Sequence, residues 1–324
     1  MMKSFKLLNY QKIFRIQYTN LMTTKFTTPR VSVLMTIYNA GSYLNEALDS
    51  LLNQSFNDWE LIAIENGSGD GSQKVLDEYK DKRVRIFTLS ENIGRTPALR
   101  FAFEQAKGEF IAVLDSDDIS SPERFSSQVS FLDLHPEVVL VGTWAEYIDE
   151  SSEIFSTLKP TSDVKMLHDC LGWSNPIIHS SAMFRMTTAK EVGGYPEEFI
   201  YGQDFGLIIA LAQKGDIAII PKLLCQFRVI STSMSHSNEY SLIAAKEGKM
   251  LLLRASKLLN LTSLSQKLNR RAIAIYDIKI GLALIKQKAI MKGLRILLRS
   301  VMSNPSALIF NGKVKNTLSR LCRR

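Results

Sequence analysis

Over residues 31–114, apolar runs of strand length alternate with stretches whose apolar positions recur at helical spacing. Residues 31–38, VSVLMTIY, form a β-rich apolar run closed by Asn39-Ala40-Gly41, and residues 43–54 then place Leu44, Ala47, Leu48 and Leu51 on one helical face. Residues 60–64 are a second short run, closed by Glu65-Asn66-Gly67-Ser68-Gly69-Asp70-Gly71, after which Val75, Leu76 and Tyr79 mark a helix. A third strand at 84–89, a third helix at 96–107 and a fourth strand at 110–114 complete the pattern. The last strand runs directly into Asp115-Ser116-Asp117-Asp118. Strands alternating with helices predict right-handed βαβ units, hence an α/β fold around a mostly parallel, buried sheet. In such sheets ligands gather at the carboxyl ends of the strands, where the loops after Tyr38, Ile64 and Leu114 all open.

Beyond Pro122 the pattern predicts a helix over 125–134 and a strand over 138–142, followed by a less regular stretch to about residue 235. From about residue 240 the chain reads as basic amphipathic helices, with Leu282, Ile285, Ile290, Leu294, Leu297 and Val301 in register, interrupted at Asn304-Pro305. Three regions follow: a basic extension over 1–28, a globular body over 29–238 and a helical region over 239–324. Residues 1–28 carry Lys3, Lys6, Lys12, Arg15 and Lys25 without an acid and lack the apolar core and small-residue cleavage site of a signal peptide; Met22 offers a second start.

Charge sharpens this division. The 324 residues sum to +8, yet residues 241–324 hold eighteen basic residues against Glu247 and Asp277, a net +16, which leaves the rest at −8. Such a tail suits an anionic partner, either lipid or nucleic acid. Nucleic acid fits poorly, because Tyr276 and Phe310 are the only aromatics interleaved with those cations. No apolar run approaches the ~20 residues of a membrane span, so a soluble or peripheral protein is expected; with its scattered cysteines this fits a cytoplasmic setting, or a peripheral one on the cytoplasmic face of the inner membrane. A composition 45% hydrophobic and 22% charged excludes disorder, and Cys170, Cys225 and Cys322 have neither zinc-site nor disulfide-framework spacing.

Three carboxylates within Asp115-Ser116-Asp117-Asp118, a D-x-D pattern at a strand's carboxyl end, repel one another unless a cation lies among them. Oxygen-rich loops of this kind suit Mg²⁺ or Mn²⁺ bridged to phosphate. An acidic turn capping the helix near Ser121-Pro122 is the plainer reading of the same residues. Asp204, ahead of the apolar stretch 205–212, is likewise a helix cap by its local context alone.

Four ordered segments decide between these readings: PRVSVLMTIYNAGSYLNEALDSLLNQSFNDWELI, NIGRTPALRFAFEQAKGEFIAVLDSDDISSPERFSSQVSFL, NPIIHSSAMFR and YGQDFGLIIAL. Together they resemble the inverting glycosyltransferases of family 2, over roughly residues 30–235. The resemblance implies the GT-A fold, a nucleotide-diphosphosugar donor and a divalent cation, Mn²⁺ or Mg²⁺. It places Thr36 and Tyr38 against the nucleotide base, with Tyr38 stacking, and Glu65-Asn66 where the family has an Asp pair or Asp-Asn pair on the base edge. Asp115 would meet the ribose, and Asp117, helped by Asp118, would hold the metal on the diphosphate. Gln203-Asp204 falls where the family has Glu-Asp, so Asp204 would be the general base and Gln203 a positioning group. His179, Arg95 and Trp173 would line the pocket, Arg228 would lie on the loop over the donor diphosphate, and His236 would complete the metal shell.

The implied reaction is an inverting transfer to an acceptor hydroxyl. The basic tail suggests a lipid-linked saccharide acceptor of surface polysaccharide synthesis at an anionic membrane surface. A metal-dependent nucleotidyltransferase or phosphohydrolase could use the same acidic loop, but the chain has no Gly-rich phosphate loop with Lys and no second ligand cluster.

Overall fold

The computed structural model describes residues 28–230 and 238–305, with the short strand Phe14–Arg15. Ten strands form one sheet: β1 (Phe14–Arg15), β2 (Val31–Ile37), β3 (Trp59–Asn66), β4 (Val84–Leu89), β5 (Phe110–Val113), β6 (Ile119–Ser120), β7 (Val138–Ile148), β8 (Ile154–Leu158), β9 (Met183–Arg185) and β10 (Asp216–Arg228). Their order is β1-β4-β3-β2-β5-β9-β7-β10-β6, with β8 paired antiparallel to the later part of β7, Ala145 to Ile148. Strands β4, β3, β2 and β5 are mutually parallel, and β7 and β10 form a second, long parallel pair. Antiparallel β9 joins the two halves.

The alternation along the strands explains the layers. Leu34, Ile62 and Ile64 face one apolar core, whereas Val33, Met35, Leu61 and Ala63 face the other. The second core is covered by α1 (Tyr43–Leu52), α2 (Ser72–Glu78) and α4 (Arg124–Leu134). The first is covered by α3 (Arg95–Gln105), α6 (Met186–Glu191) and α7 (Gln203–Leu211), together with α5 (Val164–Cys170). Three further helices follow: α8 (Asn238–Leu258), α9 (Ser263–Lys286) and α10 (Ile290–Ser303). Leu251, Leu252, Ala255, Leu259 and Leu261 enter that first core, so the tail contributes directly to the packing of the sheet.

The parallel units expected over 31–114 are present. The stretch to residue 235 is more ordered than its pattern implies, since β8, β9, β10 and three helices lie within it. Strand β10 lacks clean alternation because Pro221-Lys222 interrupts it, and its register against β7 shifts between Ile220 and Leu223. Strand β8 is an exposed edge with no buried side to mark it. The helices expected from about residue 240 onward are α8, α9 and α10, the last ending before Asn304-Pro305.

Candidate active site

The loops that leave β2, β3 and β5 meet at the carboxyl edge of the parallel strands and are tied by their own side chains. Asn39, in a left-handed conformation (φ +52°), accepts the Gly69 N–H at Oδ1 (2.9 Å). Asp70 accepts the Gly41 N–H (2.7 Å) and both the N–H and hydroxyl of Ser72 (3.0 and 2.6 Å). These donors hold its carboxyl below the ordinary range, although burial opposes them. Thr36 is half-buried on β2 and Tyr38 is 50% exposed above it, its ring available for stacking.

Glu65 and Asn66 end β3 and are both buried. The Glu65 carboxylate folds back to accept the N–H groups of Ser68 (2.6 Å) and Gly67 (3.2 Å). Asn66 accepts the Ile93 N–H (3.0 Å) and donates to Asn92 Oδ1 (3.1 Å) and Gly94 O (3.3 Å). Both side chains therefore build the loop walls. Gly67 is required between them: at φ +74°, a Cβ there would lie 2.5 Å from the Glu91 carbonyl carbon.

Arg95, Asp115 and Asp117 occupy the centre, with Asp204 beyond them. Arg95, first residue of α3, donates from Nη2 to both Asp115 oxygens (2.6 Å each) and lies 3.3 Å from His179 Nδ1. The other ring nitrogen of His179 is 3.0 Å from the hydroxyl of fully buried Tyr195. Burial disfavours the Arg95 charge, yet Asp115 beside it, with Asp204 and Asp117 beyond, outweighs burial and raises its pKa. Burial likewise opposes the charge of Asp115, but Arg95 and His179 hold its carboxyl well below the usual range. Asp117 is pushed up to about 6, by burial first and then by the charge of Asp115. This carboxylate lies in a field that calls for positive charge.

Asp118 points elsewhere. It is 1% exposed, accepts the Ser180 hydroxyl at Oδ2, and accepts the Arg228 N–H at Oδ1 (2.8 Å). Burial, then the charges of Asp117 and Asp115, raise its pKa well above the ordinary value. Arg228 is also turned inward. Its guanidinium donates to Asp117 O (2.9 Å), Asp149 O (3.0 Å), Ser152 Oγ (2.9 Å) and Glu46 (2.9 Å), and stacks over Tyr43 at 4.5 Å. The two residues brace the acidic turn from behind. His236 lies outside the described residues.

Asp204 stands in the first turn of α7 and accepts a hydrogen bond from Asn175 Nδ2 (3.1 Å), while Asn175 Oδ1 accepts the Ile177 N–H (3.1 Å). Gln203 beside it is 3% exposed, and turning its amide end for end lets its nitrogen donate to Tyr201 O (3.0 Å) and Ile200 O (3.2 Å). Trp173 is half-buried on the turn before Asn175. The sequence reading passed over Asn175, Ser180, Tyr195 and Glu46. Asn175 and Ser180 lie inside the NPIIHSS segment that drew attention to His179, whereas Tyr195 and Glu46 carry no local signal.

Among the described residues, no group of three His, Cys, Asp or Glu side chains could hold a metal unaided. The donors present nevertheless fit a hard divalent cation, which commonly takes one or two carboxylates and draws its remaining ligands from substrate phosphate and water. Asp117 supplies such an oxygen.

The curled, mostly parallel sheet with helices on both faces is the GT-A fold. Residues 32–193 match the model of glycosyl transferase family 2, and the chain belongs to that family. It is therefore a glycosyltransferase. The O-antigen biosynthesis glycosyltransferase WbnJ of Escherichia coli is 35% identical over 170 residues, 51% of this chain and 65% of WbnJ. Among solved structures, TarS 1–349 of S. aureus in complex with UDP-GlcNAc aligns at TM-score 0.62 and 18% identity, covering 84% of this chain and 81% of TarS. The mannosyltransferase PcManGT of Pyrobaculum calidifontis, in complex with GDP-Man and Mn²⁺, aligns at TM-score 0.58 and 17% identity, covering 90% and 84%. At those identities the two structures speak to the fold.

Proposed function

We propose that the protein moves a sugar from a nucleotide-diphosphosugar to the hydroxyl of a lipid-linked saccharide, with inversion, in the synthesis of a surface polysaccharide. The observation that carries this is the convergence of Asp115, Asp117 and Asp204 around Arg95 at the carboxyl edge of the sheet. Asp204 acts as general base: its carboxylate takes the proton of the acceptor hydroxyl as the oxygen attacks the anomeric carbon and the bond to the donor's diphosphate oxygen breaks. One displacement inverts the configuration. Asn175 keeps one Asp204 oxygen engaged and leaves the other for the acceptor. Tyr38 and Thr36 face the base and Asp115 the ribose, and Asp117 would hold a divalent cation, which would offset charge on the departing nucleoside diphosphate. Asp118, Glu65, Asn66 and Arg228 support these groups from behind.

Nucleotide sugars bound to TarS and PcManGT, and the O-antigen role of WbnJ, support this class of donor and product. The acceptor's lipid is supported by α10. Met291, Leu298 and Met302 are 77%, 63% and 82% exposed along one stripe, with exposed Lys292, Arg295 and Arg299 beside it and no acid in the helix. An apolar stripe flanked by cations suits the interface of an anionic bilayer.

Calorimetry with UDP- and GDP-sugars, with and without Mn²⁺, tests the donor site. One nucleotide should bind in a metal-dependent manner, and Asp117→Asn or chelation with EDTA should abolish that dependence. Asp204→Asn should bind the same nucleotide normally, with transfer reduced by about 10²–10⁴-fold, the usual contribution of a general base. Full transfer by Asp204→Asn would overturn the assignment.

A further inference from the structure

Glu247 is one of two acids in the eighty-four residues after 240, and it lies far from the acidic loop in sequence. It is 7% exposed on α8. Its Oε1 accepts the Ile200 N–H (2.8 Å), and its Oε2 accepts those of Tyr201 and Gly202 (2.9 Å each). These three consecutive donors lie immediately before Gln203-Asp204, at the amino end of α7. A buried carboxylate on three amides also opposes the positive end of the helix dipole, so it fixes both the conformation of the loop and the start of α7.

The same loop is gripped again further up. Arg254 of α8 pairs with Glu198 and lies 5.0 Å over the Phe199 ring. Thr96 of α3 donates to Phe199 O (2.6 Å). Gly202 packs so closely on α8 that a Cβ would meet Leu251 at 2.5 Å.

The other partner of Asp204 is anchored to the tail as well. Asn269 of α9, 3% exposed, donates to Gly172 O (2.6 Å) and to Leu252 O of α8 (2.9 Å). Ser265 donates to Asp169 O (2.9 Å), and Asp169 accepts from Thr262 (2.8 Å). This fixes the turn that leads into Asn175. Asp204 is thus held through two segments, 198–202 and 169–175, and α8 and α9 clamp both.

We propose that Glu247 is a positioning residue for the transfer step: by locking the amides of residues 200–202 it orients the Asp204 carboxylate toward the acceptor oxygen, and the α8–α9 pair is a working part of the catalytic centre. The proposal rests on Asp204 being the base. Its consequence is kinetic, because a base displaced by a fraction of an ångström loses rate while the donor site, built on β2, β3 and β5, is untouched.

The test uses the full chain, Mn²⁺ and the nucleotide sugar that wild type turns over. In Glu247→Gln, kcat should fall by about tenfold or more while the Kd for the free nucleoside diphosphate stays within about twofold. Amide exchange over residues 198–206 should accelerate, with peptides from β2 and β5 unchanged. Glu247→Asp, which retains the charge but retracts it by one methylene, should fall between; it also serves if Glu247→Gln does not fold. Unchanged kcat in the folded variant overturns the proposal, and so does an equal loss of kcat and nucleotide affinity, which would mark general structural damage. If wild type transfers from no donor, the glycosyl-transfer reading fails instead. If Asp204→Asn retains full transfer, the base assignment fails.

Discussion

At Asn66, one side chain, itself 3% exposed, satisfies a backbone donor and a backbone acceptor across the loops that follow β3 and β4. Removing a partner from a buried polar group costs more than the bond itself contributes, because the group left behind keeps its desolvation penalty. Asn66→Ala should therefore lower unfolding free energy by about 2 kcal/mol in urea titration, although it deletes only a small side chain. Asn66→Asp is a sharper probe, since it keeps the acceptor for Ile93 and loses both donations. These residues also show where a motif misleads. Glu65, Asn66, Asp118 and Arg228 were legible as candidates for the site because they flank strand ends in a recognisable order. Their orientation was not legible, because a one-dimensional pattern carries no record of which neighbour will claim each polar atom. Asp117 and Asp118 are adjacent and chemically identical, yet one is half-buried at the edge and the other is sealed beneath Ser180 and Arg228.

At the level of elements, periodicity served well wherever a segment had one covered face or was wholly apolar. Strands β2, β4 and β5 and helices α1, α3, α4 and α7 lie where the pattern puts them, within a residue or two at the ends. It failed for β10, interrupted at Pro221-Lys222, and for β9, whose three residues are too few to show a period. The packing of α9 on α10 was also hidden. Gly281 and Gly293 bring the two helices together so tightly that a Cβ at either would lie within 3.0 Å of the other glycine's carbonyl oxygen. Gly293→Val should force this crossing apart and destabilise the protein by about 1–3 kcal/mol, measurable as a lowered Tm. Gly293 lies on the buried side of α10, away from Met291, Leu298 and Met302, so the outward stripe is not itself altered.

At the level of the whole molecule, the charge asymmetry gains a location. The described tail acids are both occupied, Glu247 by backbone amides and Asp277 by Lys249. The surplus cations of α10 therefore face outward beside an apolar stripe. The protein should sediment with vesicles containing anionic lipid, and raising salt from about 50 mM to about 500 mM should release most of it by shortening the Debye length. Leu298→Glu with Met302→Glu should abolish sedimentation at low salt while leaving nucleotide binding intact. Sedimentation equally strong with neutral vesicles would contradict the electrostatic part of this account. No helix among the described residues is long and apolar enough to cross a membrane.

The distance along the chain between the donor edge and the clamp on residues 198–202 bears on how the protein is born. Ribosomes extend a chain at about 5–20 residues per second, and domains begin to fold from the amino end as they emerge. Strands β2 to β5 leave the tunnel well before α8 and α9, which carry Glu247 and Asn269. On the proposed assignment, a nascent chain thus acquires the groups of the donor site earlier than those that hold Asp204 in place. On that reading catalytic competence arrives last, and an arrested or clipped chain that keeps the proposed donor site would not turn over the activated sugars it captures.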